Sequence, residues 1–258
     1  MKLQRREFLK TSLAASASAA LATQLSAASS ASASGGREYY DLRCYRLKAG
    51  ASTADLDGYL EKGLLPGLEK KGVSNVGAFT ELEVDKAAVT SKPKADSPVW
   101  VLIPYASLDT FASVSAELNR DAAVHKGGAA YLDVPKASPA FERIDSWLYL
   151  AFKSMRKLEL PAFSKSRVPT RVFEMRDYES HSELAALNKM DMFDAGETEV
   201  MRDLGLSPVF FGQSLSGPNL PHLRYITSGS SLAGHLDNWK KFGPDPRWVQ
   251  MKGDPKWA

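Results

Sequence analysis

Tyr40-Asp41-Leu42-Arg43-Cys44-Tyr45 returns 133 residues later as Phe173-Glu174-Met175-Arg176-Asp177-Tyr178. Both stretches read aromatic, acid, aliphatic, Arg, any residue, Tyr. Alternation over six residues is a strand pattern, with side chains at i and i+2 on one face. A strand repeated at so long an interval implies a repeated supersecondary unit. The match extends outward at the same offset: Gly72 pairs with Gly205, and Val73-Ser74-Asn75-Val76 with Leu206-Ser207-Pro208-Val209. Further on the offset falls to 124, aligning Ser107-Leu108 with Ser231-Leu232 and Asp121 with Asp245, so the first half carries nine extra residues. The polar stretch 83–97, with Lys92-Pro93-Lys94, is expected to hold them as an exposed loop.

Each half reads strand, helix, strand, strand, helix, and the first half goes on into a closing strand at 144–152. That order is the split βαβ, or ferredoxin-like, unit. Capping signals, Ser52-Thr53-Ala54-Asp55 and Ser180-His181-Ser182-Glu183, open the first helix of each half. In the first half its apolar positions are Leu56, Tyr59, Leu60, Leu64 and Leu68, and Pro66 is expected to distort it. Gly72 and Gly205 stand where left-handed C-caps belong. The second helices carry the stripes Leu108, Phe111, Ser115, Leu118 and Leu232, His235, Trp239, Phe242, at helical spacing.

The fold class expected is α+β, with one ferredoxin-like unit at 38–152, a linker at 153–169 and a second unit at 170–258. The second unit is expected to lack its last strand, because Asp254-Pro255-Lys256-Trp257 stands where the first half turns into 144–152.

Residues 1–33 read as a targeting segment. Arg5-Arg6-Glu7-Phe8-Leu9-Lys10 resembles the twin-arginine export motif, a weakly apolar Ala/Ser-rich run follows, and Ala31-Ser32-Ala33 offers a small-residue cleavage site. The run is too short and polar for a stable membrane span, which needs roughly 20 apolar residues. An exported, periplasmic or secreted location is expected. The segment holds four basic residues and one acid, a net of +3, which equals the net charge of the whole chain, so the mature protein is close to neutral. No basic surface argues for nucleic acid. Cys44 is the only cysteine, so no intrachain disulfide forms; it alternates with Tyr40 and Leu42 and reads as a small buried residue.

The repeated strand resembles the NIPSNAP family. So do Tyr178-Glu179-Ser180-His181-Ser182, Pro208-Val209-Phe210-Phe211-Gly212, Gly217-Pro218-Asn219-Leu220-Pro221 and the run Trp239-Lys240-Lys241-Phe242-Gly243-Pro244-Asp245-Pro246-Arg247-Trp248. The first half is looser, with Leu118-Asn119-Arg120-Asp121 where the family has a D-P-x-W segment. The resemblance implies a dimeric α+β barrel, here with both ferredoxin-like units in one chain. It implies no reaction.

Candidate site residues are Asp41, Arg43 and Tyr45 with Glu174, Arg176 and Tyr178. If Leu42 and Met175 face the helices, these six side chains point into the barrel. Two Arg, two acids and two phenols there could bind a carboxylate or quinone-like oxygen; equally, they could form an ion-pair network that fixes the two halves together. His235, aligned with Phe111 on an apolar stripe, is either a histidine satisfied by one hydrogen bond or a base or ligand between sheet and helices. No H-E-x-x-H, C-x-x-C, Gly-rich phosphate loop or G-x-S-x-G occurs. The reading is an exported binding protein for a small apolar or aromatic ligand or a protein partner, with homo-oligomers open to it and no cofactor evident. The alternative is a monooxygenase-like or haem-handling enzyme, with His235 as the haem ligand.

Overall fold

The repeat is written into the strand pairing. The computed structural model describes residues 36–257. Its strands are β1 Tyr39–Arg46, β2 Gly77–Thr80, β3 Leu82–Asp85, β4 Thr90–Pro93, β5 Val99–Tyr105, β6 Arg143–Ala151, β7 Val172–Glu179, β8 Phe210–Ser216 and β9 His222–Gly229. Seven of them form one antiparallel sheet in the order β2-β5-β1-β6-β8-β9-β7. In the first array Gly77 faces Leu102 and Tyr39 faces Tyr105; in the second Phe210 faces Ile226 and Val172 faces Gly229. These partners differ by the offsets read from sequence, 133 on one strand and 124 on the other. The result is α+β: a complete ferredoxin-like array β2-β5-β1-β6 continued by a three-stranded one, β8-β9-β7, in a curled half-barrel.

The helices repeat as closely. The helix 54–70 contains a π turn at Leu60–Leu64, just before Pro66, where a distortion was expected. The helix 183–203 is interrupted 133 residues on, at Phe193–Glu197, by a kink at Gly196, whose φ is 146°. Glu199 holds the place of Pro66 there, so the break recurs at the repeat position with a glycine in place of a proline. Gly72 and Gly205 adopt φ of 76° and 77° and terminate these helices as left-handed caps. Ser107 and Ser231 accept from Thr110 N and Gly234 N, while Asp121 and Asp245 cap the helices Ala122–Leu132 and Pro246–Gly253.

The insertion is not a loop. β3 and β4 form a separate two-stranded ribbon, pinned across by Lys92 and Glu83 at 2.8 Å. Its alternation of Leu82 and Val84 with Glu83 and Asp85 is a strand pattern that polar composition concealed.

The sheet is buried on both faces. Tyr40, Leu42 and Cys44 pack on the concave side with Trp147, Tyr149, Phe210 and Ile226. Tyr45 packs under the helices of the first unit and Tyr225 under those of the second. β6 joins the arrays, antiparallel to β1 on one side and β8 on the other. Its counterpart between β7 and β2 has no strand among the described residues, where only the turn Pro255–Trp257 follows the last helix. Gly212 on β8 admits β6, since a Cβ there would lie 2.7 Å from Tyr149 Cβ. Phe79 holds the matching position on β2, and its ring meets Phe173 across the opening at 5.1 Å. Among the described residues no helix is long and apolar enough to cross a membrane; residues 1–33 lie outside them.

Candidate functional site

The six side chains of the repeated strand do not converge in the barrel. Leu42 and Met175 pack on the concave side, so Asp41, Arg43 and Tyr45 face the first helix layer, and Glu174, Arg176 and Tyr178 the second. The expectation took the polar face for the interior; with both faces of the sheet covered, alternation alone cannot say which is which. In the first layer Arg43 Nε bonds Asp41 Oδ2 at 2.7 Å and Ser146 Oγ donates to Asp41 Oδ1 at 2.8 Å. That closed pair has the geometry of a structural ion pair.

The second layer is different in kind. At the repeat offsets Lys189 replaces Leu56, Glu197 replaces Leu64 and His235 replaces Phe111, so three ionisable groups stand where the first unit has apolar core. Glu174, Arg176 and Tyr178, by contrast, copy Asp41, Arg43 and Tyr45. Glu174 Oε2 lies 2.9 Å from His235 Nε2, and Arg176 Nη2 reaches Glu174 Oε1 at 3.1 Å. The Arg176 guanidinium lies 3.7 Å over the Trp239 ring. Burial would raise the Glu174 carboxyl, but the His235 hydrogen bond and the Arg176 charge outweigh it and hold Glu174 at about 2. Burial pushes Glu197 the other way, up to about 7, although Lys189 Nζ sits 3.2 Å from it. Lys189 and Glu197 belong to no motif, and the signal that exposes them is their alignment with Leu56 and Leu64.

His235 Nε2 also lies 3.1 Å from the Trp239 indole nitrogen. One ring nitrogen cannot both donate to a carboxylate and accept from an indole. Glu174 is ionised, so Nε2 carries the proton and donates to it. His235 is 3% exposed and its Nδ1 is buried with no partner.

A cleft of about 650 Å³ opens between β2 and β7. Leu42, Phe79, Trp100, Phe173, Met175 and Ile226 give it apolar and aromatic walls, and Glu174 and His235 stand in its lining. Glu197 and Lys189 do not border it. Deeper on the concave face lies a group that sequence reading missed: Arg224 paired with Asp177, and His222 beside Tyr149. His222 Nδ1 donates to Asn219 O at 2.9 Å, so its Nε2 accepts from the Tyr149 hydroxyl at 3.0 Å. Arg224 holds the repeat position of Trp100, a signal available from the 124 offset.

A haem iron needs a histidine nitrogen it can approach. His235 and His222 are 3% and 1% exposed and each has its Nε2 engaged. His125 and His181 are exposed and neither borders the cleft. Of the two buried histidines only His235 keeps a ring nitrogen, Nδ1, without a partner, and among the described residues no group of three or more His, Cys, Asp or Glu could hold a metal ion.

No family model and no curated protein matches the chain. Among solved structures it is similar to a protein of Lactobacillus acidophilus NCFM provisionally named a monooxygenase, at 8% identity and TM-score 0.48 over 83% of this chain and 85% of that one. A Fusobacterium nucleatum protein with the same provisional name gives 9% identity and TM-score 0.48 over 84% and 87%. A haem-binding protein of Thermus thermophilus gives 12% and 0.42 over 83% and 86%.

Proposed function

We propose that this chain is an exported, NIPSNAP-like binding protein that takes a small, flat, largely apolar ligand in the cleft between β2 and β7. The observation that carries the reading is an aromatic-walled cleft of about 650 Å³ with the Glu174–His235 pair in its lining, His235 buried and Glu174 partly exposed. That volume lies in the range of small-molecule sites, roughly 300–1,000 Å³, and such sites combine apolar walls with a few fixed polar groups. Stacking on Trp100 and Phe173 would hold a ring system, and the unmet Nδ1 of His235 would accept from a ligand hydroxyl. Glu174 and Arg176 act as positioning residues: they fix the imidazole and its proton. Binding is favoured over turnover because Glu197, the carboxyl poised near neutrality, does not border the cleft.

The test is a calorimetric titration of residues 34–258 with 2-naphthol. Saturable 1:1 binding that quenches tryptophan fluorescence, and that weakens at least tenfold in Trp100→Ala, is expected. Absence of saturable binding at millimolar ligand overturns the reading.

A second reading has its own observation. The cleft lies between two unpaired strand edges, at the place β6 takes between β1 and β8. An extended polypeptide could pair there by strand addition, displacing the Phe79 ring. The same titration, run in competition with a peptide of residues 143–151, separates the two occupants.

A further inference from the structure

Arg224 lies on β9, 6% exposed, with Gly212 opposite it. Its Nη2 bonds Asp177 Oδ2, yet its Nε and Nη1 are buried with no hydrogen-bond partner. Its guanidinium carbon stands 4.7 Å from the centre of the Trp147 ring and 5.8 Å from those of Trp100 and Tyr149. Aromatic faces attract the charge, but they do not answer N–H groups that lie in the guanidinium plane. Buried donors are almost always paired, so two open donors on a buried cation call for an acceptor that the chain itself does not supply.

Asp177 does not exhaust that capacity. It keeps 29% exposure and shares its charge with water. His222 Nε2, 3.7 Å from Asp177 Oδ1, is already an acceptor for Tyr149 and adds no proton to the pair.

Arg224 does not itself line the cleft but adjoins it through its neighbours. Ile226, two residues further along β9 on the same face, and Trp100 both stand in the cleft lining. Two strand residues span about 7 Å, a distance that a substituent on a bicyclic ring bridges. We propose that Arg224 is the anion end of the cleft, and that the ligand is a flat apolar carboxylate whose oxygens take the open Nε and Nη1 donors. This rests on the small-ligand reading of the cleft. A carboxylate satisfies a guanidinium better than any neutral acceptor, through charge-assisted hydrogen bonds.

The experiment compares naphthalene-2-carboxylate with 2-naphthalenemethanol, its neutral isostere, by calorimetry on residues 34–258 at pH 7.5. Wild-type protein should prefer the carboxylate at least tenfold. In Arg224→Gln the preference should vanish while the alcohol binds as before, and in Arg224→Lys it should fall without vanishing. Lys86 and Arg171, which also stand in the lining, are the controls, and Lys86→Gln and Arg171→Gln should keep the preference. Equal affinity for the two probes in wild-type protein overturns the proposal with the cleft reading intact, and needs no variant to fold. A preference that survives Arg224→Gln, or is lost in a control, also overturns it. If neither probe binds, the cleft reading fails and the proposal with it.

Discussion

Glu197→Gln should remove a pH dependence of stability that belongs to one buried carboxyl. Burial lifts Glu197 from 4.5 to about 7 against the attraction of Lys189. The folded value lies above the unfolded one, so the fold favours the protonated acid. Its penalty is absent below about pH 4.5, grows as pH rises, and becomes constant above about 7. The rise from 4.5 to about 7, at about 1.4 kcal/mol for each tenfold change in proton affinity, amounts to roughly 3 kcal/mol. Glu197 is 2% exposed, so solvent screening takes little from that figure. Glutamine keeps the volume and does not titrate. Urea unfolding of both proteins, followed by tryptophan fluorescence at pH 4.5, 6, 7 and 8, isolates the term. The stability of the variant relative to wild type should rise by about 3 kcal/mol across that range. Parallel profiles would mean that Glu197 ionises normally and that the second helix layer is an ordinary core with a tolerated acid.

Three further outcomes are expected. His235→Phe, which copies Phe111, should cost about 1–3 kcal/mol at pH 7 by leaving a Glu174 oxygen unpaired. Because Glu174 is held at about 2, its contribution is present above about 4.5 and is lost as pH falls through about 2; without His235 the loss should come at higher pH, seen as a raised acid-unfolding midpoint by circular dichroism. Gly212→Ala drives a Cβ to 2.7 Å from Tyr149 Cβ and should destabilise by about 1–3 kcal/mol in urea, by forcing β6 off β8. Appending a linker and a copy of residues 143–151 to the C-terminus should raise the melting temperature by several degrees, about 2–4 °C per kcal/mol gained for a domain of this size. It should also abolish 2-naphthol binding. An unchanged melting temperature would show that the β2–β7 opening does not accept a strand.

The architecture was legible because strand pairing copies sequence spacing. Offsets of 133 and 124 reappear as the Gly77–Leu102 and Phe210–Ile226 registers, and among the described residues no strand takes the repeat position of β6. Face assignment was not legible, since Tyr40, Leu42 and Cys44 alternate with Asp41, Arg43 and Tyr45 in a sheet packed on both sides. Half of the proposed constellation therefore belongs to another layer: Glu174, Arg176 and His235 meet, with Tyr178 in the same layer, while Asp41, Arg43 and Tyr45 do not join them. The most informative residues are those that break the repeat. Lys189 for Leu56, Glu197 for Leu64 and Arg224 for Trp100 place charge where the duplicate is apolar, and a full alignment of the two helices and of β5 with β9 exposes them. The π turn at 60–64 was hidden because no side-chain pattern distinguishes a π turn from the helix around it.

The most direct measurement is a crystal structure of residues 34–258 grown with 2-naphthol. The small-ligand account predicts a ring system stacked on Trp100 and Phe173, with its hydroxyl within hydrogen-bond distance of His235 Nδ1. A strand from a neighbouring chain paired to β7 in that space, or an empty cleft at saturating ligand, would contradict it.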